Sequence, residues 1–344
     1  MKFGVWLQSQ RQAHHWSQAE LAERLAVSRQ TVIALEKNQH GPSLDLAVRL
    51  SQLFQISLDQ LVESVTDAGP QGHVLPSLLR PTGPTPVIWS QVGPRCVLVP
   101  IHRIEGTPFP DAVWDPNTGE TLALPGARRP EQVILAGGCD PFAGWLSQVF
   151  HDYNPHLYLE TVRLSSSQAL RAWQDGWLHV AGTHLYDVEL QRYNPDSLAA
   201  VPHLRMPYLM WEEGLLMRPD ERLERLAIRE PGSEAHALFQ RHRNQSPAPT
   251  DIFYTHRSIM DTVAHRRGWA GVGLGPLASP LGLLFEPWAL ESYDLWVRWE
   301  EHSLPWVETL RSALQSPRLT SLLAGVPHVS LAQSASHVSS GLLE

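Results

Sequence analysis

Residues 17–38 read SQAELAERLAVSRQTVIALEKN, and they constrain the fold more than any other stretch. Ser17 followed by Glu20 is a capping box, in which each side chain satisfies a backbone N–H of the other and so starts a helix. Leu21 and Leu25 recur at i,i+4, which gives that helix one apolar face. Val27 closes a tight turn, and Ser28 stands where a second N-cap belongs. Behind it, Val32 and Leu35 point inward while Arg29, Gln30, Thr31 and Ala34 point outward. Two short helices joined in this way have the spacing of a helix-turn-helix, whose second helix enters a DNA major groove.

The flanks extend the pattern. Leu7, Arg11 and Trp16 predict a preceding helix. Pro42-Ser43 opens LDLAVRLSQLF, with Leu46, Leu50 and Leu53 on one stripe, and a second capping box from Ser57 to Gln60 predicts a short fifth helix. On Ser17-Gln18, Leu21-Ala22, Ser28, Leu35-Glu36 and Pro42-Ser43, residues 3–63 resemble the lambda-repressor-like, or XRE, family. The resemblance implies binding of a double-stranded DNA operator. Gln18 then contacts phosphate, Arg29, Gln30 and Thr31 read bases, and Ser28 and Lys37 complete the DNA-binding set. The rival reading is a five-helix bundle that binds a protein.

Charge sharpens this expectation. The net charge is −8, and residues 1–64 carry six basic and six acidic side chains, so broad electrostatic adhesion to nucleic acid is excluded. Binding must rest on placement, with Arg11, Arg29 and Lys37 as a local patch, and dimerisation would raise affinity. Two cysteines, Cys96 and Cys139, do not make a disulfide scaffold. The opening MKFGVWLQSQ lacks the layout of a signal peptide, and no apolar run approaches the roughly 20 residues of a membrane span. A cytoplasmic protein with no membrane partner is expected.

At 344 residues the chain exceeds one ordinary domain. The expected fold is multidomain: an all-α five-helix helix-turn-helix domain over 1–64, then a two-lobed α/β domain. Between them, Gly and Pro punctuate a linker over 65–86, and short β-like runs fill a segment over 87–131. From 132 to 325, strand and helix alternate. VILAGG, LYLETVRL and LHVAGTHL are strands, interleaved with helices that begin near Pro141 and at the Ser165–Ser167 run. Such alternation predicts a parallel sheet with right-handed crossovers. A second set holds a helix from Ser233, the strand DIFYT, the helix HRSIMDTVAHRRG and the strand WAGVGLG. LLFEPW and YDLWVRWE are strand-like, a helix LPWVETLRSALQS follows, and the Ser/His-rich 326–344 is expected to be a disordered tail.

On AGGCDP (136–141), HVAGTHL (179–185), REPGSEAH (229–236), YTHRSIMDTVAHRRGWAGVGLG (254–275) and ESYDLWV (291–297), residues 132–325 resemble periplasmic-binding-protein-like sensor domains. The resemblance is to the molybdate-binding-protein-like branch that is fused behind an XRE domain. It implies a small-molecule effector, an oxyanion such as molybdate, rather than a bound cofactor. In parallel α/β sheets a ligand lies beyond the carboxyl ends of the strands. The candidate ligand-binding residues are therefore Gly138, Cys139 and Asp140; Ser165, Ser166 and Ser167; Thr183 and His184; Gly232 and Ser233; and Thr255 and His256. Helix N-termini that face one another supply an anion site from free N–H groups and dipoles. Ordinary capping accounts for each serine taken alone. Glu234 departs from the family pattern, since a carboxylate beside the site repels an anion.

Other chemistries stay open at this point. Cys139, His184 and His256 with Glu234 could hold zinc, but no close-spaced ligand pair is present, and no metal is expected. Cys139 with His184 as base would make an enzyme, yet no nucleophile elbow accompanies it, and no catalytic residue is assigned. GVGLG at 271–275 lacks the dinucleotide spacing. The expectation is a one-component, homodimeric, DNA-binding transcriptional regulator whose C-terminal domain binds a small ligand. The rivals are an enzyme built on that domain and a C-terminal domain that only dimerises.

Overall fold

The computed structural model describes residues 3–37, 39–54, 56, 72–76, 78, 80–101, 109–219, 221–242 and 248–332. The chain divides into two compact units. The first holds Met1–Val74, Leu78–Trp89 and Leu98–Arg128, and the second holds Leu75–Ser77, Ser90–Val97 and Arg129–Glu344.

The first unit opens with α1 (Phe3–Ala13), α2 (Gln18–Arg24), α3 (Arg29–Glu36) and α4 (Leu44–Phe54). Both halves of the Ser17/Glu20 capping box form: Glu20 N–H donates to Ser17 Oγ at 3.2 Å and Ser17 N–H to Glu20 Oε2 at 2.6 Å. Ser28 Oγ accepts from Thr31 N–H at 3.0 Å and starts α3. Between the two helices, Ala26 turns the chain at φ 51°, a left-handed conformation that costs a residue with a Cβ. Phe3, Leu7, Leu21, Leu25, Val32, Leu35, Leu46 and Leu50 form the buried core. The expected fifth helix, from Ser57, lies outside the described residues.

A small sheet follows, with strands β1 (Gly72–Val74), β2 (Thr85–Val92), β3 (Arg95–Pro100), β4 (Ala112–Trp114) and β5 (Thr121–Ala123) in the order β1-β3-β2-β4-β5. It corrects the linker expected over 65–86, because residues 72–74 and 85–86 already lie in strands. Among the described residues, Pro76, Pro81, Gly83 and Pro84 lie between the ends of β1 and β2. Inside the first unit, the Arg128 guanidinium holds the buried Asp111, Nε to Oδ1 at 2.8 Å and Nη2 to Oδ2 at 2.9 Å, and its backbone N–H donates to Oδ1 at 3.2 Å.

The second unit is built on one continuous sheet. Its elements are β6 (Val133–Gly138), α5 (Ala143–Tyr153), β7 (Tyr158–Arg163), α6 (Ser166–Gln174), β8 (Val180–Thr183), a short ribbon of β9 (Tyr186–Asp187) and β10 (Arg192–Tyr193), β11 (His203–Met217), β12 (Arg225–Arg229), α7 (Glu234–His242), β13 (Thr250–Phe253), α8 (His256–His265), β14 (Trp269–Leu274), β15 (Leu284–Arg298), α9 (Pro305–Leu314), α10 (Pro317–Ala324) and β16 (Val329–Leu331). The order is β13-β12-β14-β11-β15-β8-β6-β7, with β16 on β11.

At one end β7, β6 and β8 run parallel, and at the other β13, β12 and β14 do. Between these lobes the 15-residue strands β11 and β15 pair antiparallel along their length. Their register shifts between Glu213 and Gly214, opposite Pro287, so proline falls where the ladder is already interrupted. LLFEPW and YDLWVRWE, expected as two runs, are thus parts of the one strand β15. Strand β12 (RLAIR) and helix α10 were not anticipated. The tail expected from 326 is corrected as far as β16, which pairs with Leu209–Trp211; residues 333–344 lie outside the described residues.

Candidate functional site

On the helix-turn-helix, Arg29 and Gln30 are exposed at the start of α3, and Lys37 is exposed just past its end. Thr31 is half-buried, with its hydroxyl 2.8 Å from that of Ser28. Gln18 Nε2 donates to Glu36 Oε2 at 2.8 Å, so its amide is already oriented. Arg11 does not join the expected basic patch. Its guanidinium is bound to Glu36, Nε to Oε1 at 2.6 Å, and to the Trp16 carbonyl at 2.9 Å. The charge expected for DNA is spent on joining α1 to α3.

In the second unit, the carboxyl ends of the parallel strands of both lobes meet at a cavity of about 450 Å3. Gly138, Cys139, Ser165, Thr255 and His256 line it, as do three arginines that the sequence reading missed: Arg163, Arg229 and Arg257. Arg229 is tied to Glu230 (Nε–Oε2 2.7 Å) and Arg257 to Asp261 (Nε–Oδ2 3.0 Å). Arg163, exposed at the end of β7, has no hydrogen bond or ion pair among the described residues.

Three helices of nine or ten residues begin around the cleft: α6, α7 and α8. Each cap is closed by its own hydroxyl. Ser165 Oγ accepts from Gln168 N–H at 3.3 Å, Ser233 Oγ from His236 N–H at 3.2 Å, and Thr255 Oγ1 from Ser258 N–H at 2.9 Å. The first-turn N–H groups of a helix have no intrahelical acceptor, and of these three helix starts those of α6 and α8 line the cavity. Across the cleft, Ser167 Oγ donates to the Gly232 carbonyl at 3.2 Å, and Glu234 Oε2 accepts from Tyr186 N–H at 3.3 Å. Glu234 Oε1 meets Arg241 at 2.9 Å, so this carboxylate is neutralised and not aimed at an anion.

Asp140, Ser166, Ser167, Thr183, His184, Gly232 and Ser233 do not line this cavity. Thr183 is fully buried, its hydroxyl donating to Asn194 Oδ1 at 2.9 Å and accepting from Trp296 Nε1 at 2.6 Å. Asp140 closes a turn ahead of α5, accepting from Phe142 N–H at 2.7 Å. Burial pushes its carboxyl up to about 7 against that hydrogen bond and one with Tyr208. Ser166 is buried and accepts from His184 N–H at 3.2 Å, which fixes the loop after β8.

Behind Cys139 lies a buried polar cluster. Cys139 Sγ stands 3.2 Å from His184 Nε2, and His184 Nδ1 stands 2.7 Å from Glu291 Oε2. Trp211 Nε1 donates to the same carboxylate at 2.9 Å, and Tyr193 Oη to its other oxygen at 3.3 Å. The imidazole is thus oriented from both sides. Burial works against the charged form of His184, yet Cys139 and Glu291 hold it well above the usual histidine range. Burial would raise Glu291, but the His184 charge and hydrogen bonds from His184 and Trp211 hold it down. Glu213, completely buried on β11, is pushed well up by burial and by the Glu291 charge. His256 is pushed well down by burial, then by Arg229, His184 and Arg163.

Tyr293 completes the wall. A Cβ on Gly138 or Gly182 would lie 2.0 Å from its hydroxyl, so only glycines admit the ring there. One signal of this cluster was present in the sequence: Glu212-Glu213 and Glu291 are acids inside apolar strand patterns.

Comparison with known proteins places these features. The family model described as a PBP superfamily domain matches residues 147–315, and a helix-turn-helix model matches residues 7–61. An uncharacterized HTH-type transcriptional regulator of Methanocaldococcus jannaschii is 41% identical over 51 residues, which are 15% of this chain and 77% of that protein. The chain belongs to the HTH-type transcriptional regulators. A second such regulator, from Methanothermobacter thermautotrophicus, is 58% identical over 36 residues, 10% of the regulator described here and 52% of that relative.

Among solved structures, the regulator is similar to a candidate phosphate ABC transporter substrate-binding protein with bound phosphate from Clostridium perfringens. The identity is 12%, the TM-score is 0.47, and the match covers 58% of the regulator and all of that chain. With its helix-turn-helix and its PBP superfamily domain, it is a regulator and not an enzyme. Among the described residues no helix is long and apolar enough to cross a membrane.

Proposed function

We propose that this regulator is a cytoplasmic, one-component, homodimeric transcription factor whose C-terminal cleft binds a small anion and thereby changes operator affinity. The observation that carries the reading is the cleft itself. Two helix N-termini, those of α6 and α8, and the unpaired Arg163 face a cavity of about 450 Å3 between two lobes. Free N–H groups and helix dipoles bind an anionic head, and Arg163 adds a full charge. The volume falls in the range of small-molecule sites, about 300–1,000 Å3. It leaves room for an organic body larger than a bare tetrahedral oxyanion such as molybdate.

An anion that touches both lobes favours the closed arrangement already bridged by Ser167 and Gly232. In a dimer, lobe motion would alter the presentation of two recognition helices to half-sites about 34–36 Å apart. Arg29, Gln30 and Thr31 read bases in this scheme, Gln18 holds phosphate, and Ser28 and Lys37 support the docking.

The test is a thermal-shift panel of oxyanions and small organic acids on the wild type and on Arg163→Ala, followed by gel shifts on the native upstream DNA. A ligand of the cleft stabilises the wild type and loses at least tenfold in affinity in the variant. It shifts operator affinity by about 5–150-fold. Equal stabilisation of both proteins would move the anion elsewhere. Binding without any operator shift would make the domain a passive dimeriser.

A further inference from the structure

The buried cluster behind Cys139 is not explained by anion binding. His184, Glu213 and Glu291 each offer a ligand atom, and these atoms all lie within 4.8 Å of one another. Both acids are fully buried. Neither oxygen of Glu213 has a hydrogen-bond partner among the described residues, and nor does Nδ1 of the buried His256. That nitrogen lies 3.8 Å from Glu213 Oε1. Arg229, which lines the same void as His184 and His256, is held by Glu230. Two buried carboxyls that face each other cannot both be charged unless a proton or a cation lies between them.

We infer that this cluster is a binding site for a divalent transition metal of the zinc class, held by His184 Nδ1, Glu213 and Glu291, with His256 beside the remaining position. Imidazole together with carboxylate selects such a metal over magnesium or calcium, which take oxygen alone. The surroundings are those of a ligand shell. The other ring nitrogen of His184 meets Cys139 Sγ at 3.2 Å, and Glu291 is fixed by Trp211 at 2.9 Å and Tyr193 at 3.3 Å. A water-sized void of about 10 Å3 touches Cys139, His184, Arg229 and His256, and Cys139, Arg229 and His256 also line the large cleft, so the His184 side of the cluster adjoins the cleft.

The four side chains come from every moving part. His184 follows β8 in one lobe, His256 starts α8 in the other, and Glu213 and Glu291 sit on the strands that join them. A metal here would lock the two lobes, and its charge would draw an anion to the cleft. The inference therefore deepens the sensor reading by naming an inorganic effector.

The full-length protein, stripped with EDTA and dialysed, is titrated with zinc sulfate in a calorimeter, in two buffers of different ionisation enthalpy. One zinc per chain is expected, bound with proton release, since coordination takes deprotonated ligands. Glu213→Gln and Glu291→Gln should each weaken binding at least 100-fold. The exposed His265→Asn should leave it unchanged. Should the glutamine variants fail to fold, zinc-edge X-ray absorption of the wild-type complex decides instead: a nitrogen and oxygen shell supports the site, and a sulfur shell overturns it. Absence of stoichiometric binding, or equal binding in folded variants, overturns it too and leaves a shared proton between the acids. Either failure leaves anion binding through Arg163 standing, because that is read in the separate thermal-shift panel.

Discussion

His179 provides the most quantitative test of the second unit. It is buried, its Nδ1 accepts from Leu135 N–H at 3.1 Å, and its Nε2–H donates to the Gln91 carbonyl at 3.0 Å. Only the neutral ring can make both bonds, since a protonated Nδ1 would face a donor. Burial depresses its pKa from 6.5 to about 4, with the Gln91 hydrogen bond opposing and Arg298 adding to the effect. A tenfold change in proton affinity is worth about 1.4 kcal/mol, so this depression amounts to about 3 kcal/mol.

The sign follows from the order of protonation. The unfolded chain takes the proton first as pH falls, so the contribution is full above pH 6.5 and is lost as pH drops toward 4. His179→Gln retains a hydrogen-bonding end but does not titrate. Urea unfolding of the second unit, followed by tryptophan fluorescence, should show the wild type losing about 3 kcal/mol more than the variant between pH 6.5 and 4. Losses that agree within about 0.5 kcal/mol would refute the assignment of this acid sensitivity to His179.

Three further outcomes are expected. Ala26→Gly relieves the left-handed turn between α2 and α3 and should raise the stability of the helix-turn-helix by about 1 kcal/mol, read as a higher melting temperature of that unit. Arg29→Ala should cost about 1–3 kcal/mol of operator binding and relax one base position, while Gln18→Ala weakens all sequences alike; competition gel shifts separate the two. With chelator present, Glu213→Gln should stabilise the protein at pH 8 and lose that advantage near pH 4. The folded carboxyl holds a proton that the unfolded one releases above about 4.5, so wild-type stability falls as pH rises, and melting curves across pH check the crossover.

The helix-turn-helix was legible because its information is local. Ser17 with Glu20, Ser28 with Thr31, and the leucines at i,i+4 each act within one or two turns. The cleft was legible in part for the same reason, since Ser165 and Thr255 announce helix starts. The buried cluster was not. Glu291 reaches Trp211 and His184 only through the register of β11 against β15 and β8, which no short window of sequence contains. Thr183 was misread because its partner Trp296 lies 113 residues away. Arg11 looked like a DNA contact until folding brought Glu36, 25 residues on, against it.

Strands β11 and β15 carry both the acids of the cluster and the mechanical link between the lobes. In many receptors the part that recognises and the part that bends can be altered separately. Here a substitution at Glu213 or Glu291 changes chemistry and stiffness together, so selection cannot adjust one without disturbing the other. If the cleft binds an anion as proposed, retuning toward a new effector has a freer path through Arg163 and the loop that follows it, which lie outside that pair. Descendants of this regulator should therefore diverge first around residues 163–168 and keep the crossing strands nearly intact.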